Sequence, residues 1–477
     1  MLDSLKDAYD PERFRREGHA LVDALADHLA QCQSPEAVAQ PVMTWMDPDT
    51  SAEAWLDRLE DGDSEPQHVW QKVREQAIHV HHPHNMGHQV GVSLPLAALA
   101  DLQASLLDTG NGVYEVGVPT AGMERAVMTV LSRALGYDPD CADGILTSGG
   151  SLGNLTALLT AWRVKAPDKP SSQLAIMVSS EAHYCIARAM RLMGFRDDGL
   201  VALPIDDQYR VRENGLQAAM NEAISNGLQV IAVVASACST ATGSFDPIES
   251  MAAFCQSHNL WLHVDGAHGG AAVFSEKHRP LLAGVEQADS VIIDFHKMLM
   301  IPTATTAVVY RQRAHAFQTF AQKADYLWRN DSTQEWYDYA KRTFECTRPM
   351  LSLKIYTILK AHGIQLFEDY VDITFALGQT FADLIEGRDD FELLLRPQAN
   401  VLCYRYAPPD KVADIAWCNA MNARLRQELV EEGKFYIVQT DRDGVTYLRS
   451  ALMNPFIKEA HLKALLIHIR SIADREV

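Results

Sequence analysis

The sequence predicts an α/β fold built around a large, mostly parallel sheet. Between about residues 76 and 346, short apolar segments alternate with helix-length amphipathic segments. Such alternation is typical of parallel strands joined by crossover helices. A chain of 477 residues is also too long for a single hydrophobic core, so further parts are expected on either side of this region. The expected buried strands of the sheet are 142–146, 174–178, 230–235, 261–264 and 291–293.

Two further parts flank the predicted sheet. Residues 1–75 have a helical period and are expected to form an N-terminal helical arm. A smaller C-terminal α+β domain is expected over 347–477, after the large domain over 76–346. The elements that indicate the smaller domain are one helix and two strands, at 351–362, 400–406 and 446–452.

The composition is that of an ordinary globular protein, with 47% hydrophobic and 22% charged residues. The 42 basic and 62 acidic residues give a net charge of −20, and no run of Lys or Arg forms the basic patch that nucleic acid requires. No apolar stretch reaches the length of a membrane span, and the N-terminus lacks a signal-peptide pattern. Eight scattered cysteines contain no close pair. We therefore expect a cytoplasmic protein that binds neither nucleic acid nor membrane.

A turn rich in Gly and Ser follows the first predicted strand. Gly149, Gly150 and Ser151 come directly before a helix-forming stretch. Glycine lets the backbone approach an anion, and a helix N-terminus presents free N–H groups and a partial positive charge. The hydroxyl of Ser151 adds a further donor. The pattern indicates a phosphate site, although the same turn is also a common way to start a helix.

Three polar residues follow other apolar strands. His183 suits stacking on a flat heterocycle, but a lone histidine is more often a solvated loop residue or a satisfied core group. Asp265 closes an apolar strand, where it needs either a cation such as a protonated pyridine nitrogen or a helix to cap. Lys297 follows a third strand, and its withdrawal from water would disfavour the charged amine and prepare it for Schiff-base formation. Together with the glycine turn, these residues occur in the chain order of one cofactor site.

The sequence resembles the group II pyridoxal 5'-phosphate (PLP)-dependent amino acid decarboxylases, which have the aspartate aminotransferase-like fold (fold type I). The resemblance covers nearly the whole chain and is carried by H-V-D at 263–265, A-D-S at 288–290 and H-K at 296–297. The family includes aromatic amino acid, glutamate, cysteine sulfinate and diaminobutyrate decarboxylases. It implies a PLP enzyme that releases CO2 from an L-amino acid.

The resemblance implies a role for each motif residue. Lys297 would form the Schiff base with PLP, Asp265 would pair with the pyridine nitrogen, and His183 would stack on the ring. The residues implied to hold the phosphate are Gly150, Ser151 and His296, and those implied to lie near the ring are Thr240 and Ala267, with Asp246 as support.

The resemblance also implies how the reaction ends. The segment 331–342 matches a mobile loop that carries a proton-donating tyrosine, with Tyr339 as the best match and Tyr337 as the alternative. Arg449 matches an arginine near the substrate carboxylate, for which a guanidinium fork is suited. The structural alternatives are tyrosines that pack on the loop and an arginine in a surface ion pair. A homodimer is implied, with active sites at the interface and the N-terminal arm over the partner.

Three positions depart from the family pattern. Asp294 stands where Asn is usual, and a carboxylate beside a phosphate dianion would be repelled unless it were turned away or protonated. We therefore leave Asp294 out of the predicted phosphate site. His268 occupies a position that is often Tyr, and Gly266 one that is often Ala.

Other functions share some of these features. An aminotransferase or an aldehyde synthase would have the same fold and cofactor, and a catalytically silent binding protein would be indicated by failure to hold PLP. Five histidines between 79 and 88 suggest a metal-dependent hydrolase, but their spacing matches no familiar ligand set. We expect no metal, and expect these residues at the pocket entrance. Glu115, next to Tyr114, suits a substrate with a distal amine such as 2,4-diaminobutyrate, while aromatic and acidic substrates stay open.

Overall fold

A computed structural model of the chain describes residues 2–56, 65–320 and 336–476. The α-helices in this part of the chain are α1 Leu2–Ala8, α2 Pro11–Gln33, α3 Pro48–Trp55, α4 Pro66–Gln76, α5 Pro95–Leu107, α6 Val118–Leu135, α7 Gly150–Lys165, α8 Cys185–Leu192, α9 Leu216–Ser225, α10 Ile248–His258, α11 Leu351–His362, α12 Gln365–Glu386, α13 Ile415–Glu432 and α14 Glu459–Ala473. The strands are β1 Asp143–Thr147, β2 Leu174–Ser179, β3 Leu200–Leu203, β4 Gln229–Ser236, β5 Trp261–Asp265, β6 Ser290–Asp294, β7 Thr306–Tyr310, β8 Phe391–Leu393, β9 Val401–Tyr406, β10 Val438–Arg442 and β11 Val445–Ala451.

The larger sheet has seven strands in the order β1-β7-β6-β5-β4-β2-β3. The pairs from β3 to β6 are parallel, whereas β7 runs antiparallel to both β1 and β6. All five strands predicted for this sheet are confirmed, as β1, β2, β4, β5 and β6. β3 and β7 were not predicted. The architecture is the predicted α/β class with a mostly parallel sheet.

The central strands are buried on both faces. Every residue of β5 and β6 is buried, and Val, Ile and Leu make up half of the two strands. Such strands are stable only where helices cover both sides of the sheet. Because β1 is antiparallel to β7, and β7 to β6, β1 runs in the same direction as the parallel strands. The carboxyl ends of β1, β2, β4, β5 and β6 therefore lie at one edge of the sheet.

The chain divides into two compact units. One contains the seven-stranded sheet and comprises residues 89–379 and 395–402; the other comprises 1–88, 380–394 and 403–477. The predicted helix at 351–362 is confirmed as α11, and the predicted strands at 400–406 and 446–452 as β9 and β11. The sequence-based division into an arm and two domains stays a prediction.

The smaller sheet has the order β10-β11-β9-β8, with β10 antiparallel to β11 and β8 antiparallel to β9. No helix in the described ranges is long and apolar enough to cross a membrane.

Helix α2 supplies the helical pattern expected of the N-terminal arm. The carboxylate of Asp10 accepts hydrogen bonds from the backbone N–H groups of Glu12 and Arg13, and Pro11 occupies the first helical position. Both features favour the start of a helix. Over its 23 residues only Glu17 and Cys32 are buried. Its apolar side chains, such as Phe14 and Leu25, are exposed.

Candidate active site

A cavity of about 420 Å³ opens at the carboxyl ends of the parallel strands. This is where ligands bind in open α/β sheets, and the volume is in the range of small-molecule sites. All eight residues predicted to bind the cofactor line it: Gly150, Ser151, His183, Thr240, Asp265, Ala267, His296 and Lys297. The strand order thus brings together side chains that are up to 147 positions apart in the sequence.

The glycine turn occupies the end of β1 and the start of α7. The helix begins at Gly150, so its first N–H groups have no partner within the helix and point into the cavity edge lined by Gly149 and Ser151. A side chain at Gly150 would place its Cβ 3.1 Å from Asp294 Oδ1. A side chain here would therefore press on the Asp294 carboxylate. The phosphate site at this turn stays a prediction.

Asp265 is the last residue of β5 and is buried. Its Oδ2 accepts a hydrogen bond of 2.9 Å from Asn154 Nδ2, and its Oδ1 accepts one of 3.2 Å from the backbone N–H of Ala267. These donors hold the carboxylate at the cavity wall. It is therefore a fixed acceptor that a cationic group can meet.

Lys297 forms an ion pair within the cavity. Its side chain is 24% exposed, and its Nζ lies 3.1 Å from Asp294 Oδ2. Burial acts to lower the pKa of Lys297, as predicted, but the carboxylates of Asp294 and Asp265 outweigh burial and raise the pKa above its usual value. The prediction that the charged amine of Lys297 is disfavoured took only burial into account. It was wrong, because the ion pair favours the charged amine.

Asp294 does not turn away from the site. Its side chain is 2% exposed, lines the cavity and lies 3.5 Å from His296 Nε2. The hydroxyl of Thr306 donates a hydrogen bond to its other oxygen. A carboxylate therefore faces both Lys297 and the glycine turn, at the position where the family resemblance implied an uncharged amide.

His183 lies just beyond β2, with its ring centroid 4.1 Å from that of Tyr184. Burial lowers the pKa of His183, and the nearby carboxylate of Asp265 only partly opposes this effect. The imidazole is therefore neutral near pH 7. A neutral ring is suited to stacking on a heterocycle without adding a second cation beside Lys297.

Comparison with known proteins assigns the family. The protein-family model of the pyridoxal-dependent decarboxylase conserved domain matches residues 61–407. The chain belongs to this family. It is accordingly a PLP-dependent carboxy-lyase that decarboxylates an amino acid.

Named relatives cover most of the chain. An aromatic-L-amino-acid decarboxylase from Bacillus atrophaeus is 25% identical over 468 residues, covering 97% of this chain and 96% of that protein. A human acidic amino acid decarboxylase, GADL1, is 28% identical over 453 residues, covering 91% and 86%. The solved structure of Oryza sativa TDC with PLP and tryptamine has a TM-score of 0.88 at 21% identity, covering 98% and 99%, and shows the same fold.

The cavity of this decarboxylase fits PLP. The glycine turn and the α7 N-terminus offer N–H donors to a phosphate, and the carboxylate of Asp265 offers an acceptor to a pyridinium. Lys297 supplies an amine beside both. The carboxylate of Asp294, beside the glycine turn, carries a charge that opposes phosphate binding.

Asp246, the residue predicted to support the site, lies behind the cavity. Asp246 accepts hydrogen bonds from the backbone N–H groups of Ser236, at 2.7 Å, and Val211, at 2.9 Å. Burial raises its pKa to about 6. Asp246 thus holds the end of β4, where Ser236 lines the cavity.

The contacts of Gly266 and His268 explain the two other departures from the family pattern only in part: Gly266 is closely packed, and His268 is hydrogen-bonded. A Cβ at Gly266 would lie 2.7 Å from the carbonyl oxygen of Ile292, so alanine does not fit without a backbone shift. His268 lines the cavity, and its Nε2 is 2.8 Å from Asn400 Oδ1. Of the two, only His268 lines the decarboxylase cavity, next to Ala267.

The tyrosine predicted as proton donor does not line the cavity. Tyr339 is fully buried, with its hydroxyl 3.4 Å from the carbonyl oxygen of Ala121 and its ring between the guanidinium groups of Arg342 and Arg348. Burial raises its pKa. Tyr337 is only half-buried. Residues 331–335 of the predicted loop lie outside the described residues.

Arg449 belongs to the other unit. It lies on β11, where it pairs with Val438 of β10, and it is buried. Its predicted contact with the substrate carboxylate stays a prediction.

The histidines of 79–88 make structural contacts in the smaller unit. His82 Nε2 is 2.8 Å from the carbonyl oxygen of Ala37, and His84 stacks on Phe435 with ring centroids 3.9 Å apart. Within the described ranges, no group of three or more His, Cys, Asp or Glu side chains is arranged to hold a metal ion. Their predicted position at the pocket entrance stays a prediction.

Several cavity residues were missed by the sequence reasoning. Asn154 is the most important of them, because it contacts Asp265 directly. Its position three residues after Ser151 on a helix was the available signal, since residues three apart share a face. The other polar lining residues that were not assigned to the site are Ser148, Cys185, Ser236, Cys238 and Ser239.

Removing the charge of Asp294 is expected to strengthen PLP binding. The variant Asp294→Asn no longer repels the phosphate. It also removes the ion-pair partner of Lys297, so the pKa of Lys297 falls and a larger fraction of its amine is neutral. The repulsion between the carboxylate and one phosphate charge ~4 Å away, at an effective dielectric constant of ~20, costs up to about 4 kcal/mol. We therefore expect the PLP dissociation constant to fall at least about tenfold. Fluorescence titration of the apoenzyme measures it.

The matched control for this variant is Thr306→Val, which removes the hydrogen bond to Asp294 but leaves its charge. It should bind PLP within about twofold of the wild type if charge is the cause. Weaker PLP binding by Asp294→Asn would show instead that the carboxylate supports the cofactor.

Proposed function

We propose that this decarboxylase holds PLP through Lys297 and Asp265 and acts on an L-amino acid of the 2,4-diaminobutyrate type. The observation that carries the cofactor assignment is the single cavity lined by Lys297, Asp265, His183 and the glycine turn. Bound PLP supplies an electron sink for the bond broken at the substrate Cα. The residues around the cavity determine which reaction occurs, because they orient the substrate and deliver a proton to its Cα.

Each proposed role follows from the chemistry of the side chain. The amine of Lys297 holds PLP covalently, and the carboxylate of Asp265 keeps its pyridine nitrogen protonated. The neutral ring of His183 stacks on the cofactor. The phosphate is held by Gly150, Ser151 and His296, and the ring edge is met by Thr240 and Ala267.

The proposed substrate class rests on Glu115. This residue is exposed and stands between Tyr114 and Val116, so its carboxylate is available to pair with a distal ammonium group. Arg449 is the proposed partner of the substrate carboxylate, because a guanidinium fork binds a carboxylate with two hydrogen bonds. The names of the curated relatives support aromatic and acidic amino acids as the second candidates.

A screen for CO2 release tests both the cofactor site and the substrate class. Purified holoenzyme is assayed with L-2,4-diaminobutyrate, aromatic amino acids, and aspartate, glutamate and cysteine sulfinate. We expect release from diaminobutyrate, none with Lys297→Ala, and a KM for diaminobutyrate about tenfold higher in Glu115→Gln, since the charge-assisted bond is lost. Release only from aromatic or acidic substrates, unaffected by Glu115→Gln, would assign the substrate to the second class.

We further propose that the protein is a homodimer. Leu99, Leu102 and Leu106 form one stripe along α5 and are all exposed, as are Val116 and Val118 in the same unit. A contiguous apolar surface of this kind marks an interface in soluble proteins. The exposed apolar side chains of α2 support the proposal that the N-terminal arm covers the partner.

Sedimentation velocity tests the dimer. The wild type should sediment as a dimer, and Leu102→Glu should shift it towards the monomer, because a carboxylate buried at an interface is strongly unfavourable. Leu192→Glu is the control, because Leu192 is an exposed leucine on α8, outside the stripe. A fully active wild-type monomer would contradict the proposal.

A cytoplasmic location is also proposed. All eight cysteines are free, and Cys141 and Cys346 are exposed. Exposed free thiols persist in a reducing compartment.

For the proton donor, we propose that Tyr337 or Tyr339 protonates the substrate Cα. Tyr339 matches the family better by sequence interval, but its buried hydroxyl is bonded to a backbone carbonyl. Tyr337 has its ring centroid 5.3 Å from that of Tyr114, next to the proposed substrate residue Glu115. The hydrogen bond of 3.1 Å from the Tyr114 backbone N–H to Asp338 keeps these segments together. Exposure and position therefore favour Tyr337.

The two tyrosines are separated by paired Phe variants. In Tyr337→Phe, amine formation should fall roughly 10²- to 10⁴-fold, because general acid catalysis contributes about that much, with little change in KM. Aldehyde, ammonia and hydrogen peroxide should replace part of the amine, because dioxygen oxidises decarboxylated substrate that is not protonated, and water then releases the nitrogen as ammonia. Tyr339→Phe is the matched control, expected to lose about 1 kcal/mol of stability with a near-normal amine rate. The reverse pattern would give the role to Tyr339.

A further inference from the structure

A chain of buried polar side chains extends behind Asp265. His263 lies two residues before Asp265 on β5, so the two side chains share a face of the strand. His263 is completely buried, and its Nε2 is 2.7 Å from Asn154 Oδ1, while Asn154 Nδ2 is 2.9 Å from Asp265 Oδ2. On the other side, His263 Nδ1 is 2.8 Å from Ser290 Oγ, which accepts a 2.9 Å hydrogen bond from Trp261 Nε1.

The direction of every hydrogen bond in this chain follows from its two ends. An ionised carboxylate only accepts, so Asn154 presents its Nδ2 to Asp265 and its Oδ1 to His263. The Nε2 of His263 must therefore carry the proton and donate. Burial lowers the pKa of His263 to about 4, although Asp265 acts in the opposite direction, so the ring is neutral and its Nδ1 accepts.

The other end agrees with this tautomer. Trp261 Nε1 can only donate, so its bond to Ser290 Oγ leaves the hydroxyl proton of Ser290 free to point at His263 Nδ1. All four bonds then run from Trp261 towards Asp265. Aligned hydrogen bonds polarise one another, and the effect is larger in a buried site of low dielectric constant.

We propose that His263 and Asn154 are positioning residues, which act through Asp265 to hold its carboxylate ready for the pyridine nitrogen of PLP. The proposal rests on the role given above to Asp265. Without His263, Asn154 loses the donor that orients its amide. Its Nδ2 also donates to Cys185 Sγ at 3.2 Å, so the amide can rotate towards that sulfur and withdraw Nδ2 from the carboxylate. Asp265 would then keep only the 3.2 Å bond from the Ala267 backbone, on its other oxygen.

The key variants are His263→Leu, which removes both ring nitrogens, and His263→Gln, which can still donate to Asn154 and accept from Ser290. In His263→Leu, the PLP dissociation constant should rise roughly 10- to 100-fold, because a hydrogen bond to a charged group is worth about 1.5–3 kcal/mol. The kcat should fall while the KM for the amino acid changes little. In His263→Gln, PLP affinity should recover most of this loss.

The matched control is Thr160→Val. Thr160 is also buried on α7, and its hydroxyl lies 3.1 Å from the Tyr310 hydroxyl, but it does not contact the chain that ends at Asp265. It should lower the melting temperature comparably to His263→Leu without changing PLP affinity. If both variants weakened PLP binding equally, the effect would be general destabilisation and the proposal would be wrong.

A double variant separates this proposal from the one on which it rests. Asp265→Asn should itself weaken PLP binding, and adding His263→Leu to it should cause no further loss, because the chain acts through the carboxylate. An unaffected Asp265→Asn would overturn the role of Asp265, whereas additive losses in the double variant would overturn the positioning role alone. If His263→Leu does not fold, Ser290→Ala serves in its place. It should raise the PLP dissociation constant by a smaller factor, and an unchanged dissociation constant would contradict the proposal.

Discussion

The parallel register of β4, β5 and β6 is the constraint on which the site depends. Ser236 pairs with Asp265, and Asp265 pairs with Ile292, so these strands end at neighbouring positions. Asp265 at the end of β5 and Asp294 and Lys297 at the end of β6 therefore converge at a buried edge. Buried charges are tolerated only when they are paired, and the ion pair between Lys297 and Asp294 meets this requirement. The chemistry of the cavity is thus a consequence of where the strands stop.

The two aspartates differ because of the donors that surround them. Asp265 is met by a side-chain amide and a backbone N–H, which are neutral and fixed, so its negative charge stays available to a bound cation. Asp294 is met by the ammonium group of Lys297 and a hydroxyl, so its charge is already balanced in the protein. The same residue type at the end of adjacent strands therefore plays two electrostatic roles. Only Asp265 is suited to hold a pyridinium.

The sequence predicted the parts of the site that are determined locally. Apolar strands followed by Gly, His, Asp or Lys could be recognised one at a time, which located five strands with Gly150, Ser151, His183, Asp265 and Lys297. Thr240, Ala267 and His296 were implied only by the family resemblance. The direction of β7 was not predictable, because its apolar sequence Thr306–Tyr310 has the same local pattern as a parallel strand. Asn154 and His263 were missed because their role depends on the hydrogen bond between them. The two residues are 109 positions apart, so no local sequence pattern indicates this contact. The raised pKa of Lys297 was missed for the same reason, since it depends on where Asp294 points.

The burial of Tyr339 illustrates the same limit in a different way. Its spacing identified it as the proton donor, but spacing carries no information about what surrounds the hydroxyl. Arg342 binds the carboxylate of Asp143 at 2.8 Å, and Arg348 binds that of Glu124 at 3.2 Å, so the ring is enclosed by two guanidinium groups held in buried ion pairs. Exposing Tyr339 would break into this network, and an unpaired buried charge costs several kcal/mol. Arg348 also donates to the carbonyl oxygen of Leu146 on β1, the strand that leads into the glycine turn. The segment around Tyr339 is therefore anchored to the strand that precedes the glycine turn, and a movement of this segment large enough to free the hydroxyl would disturb the turn as well.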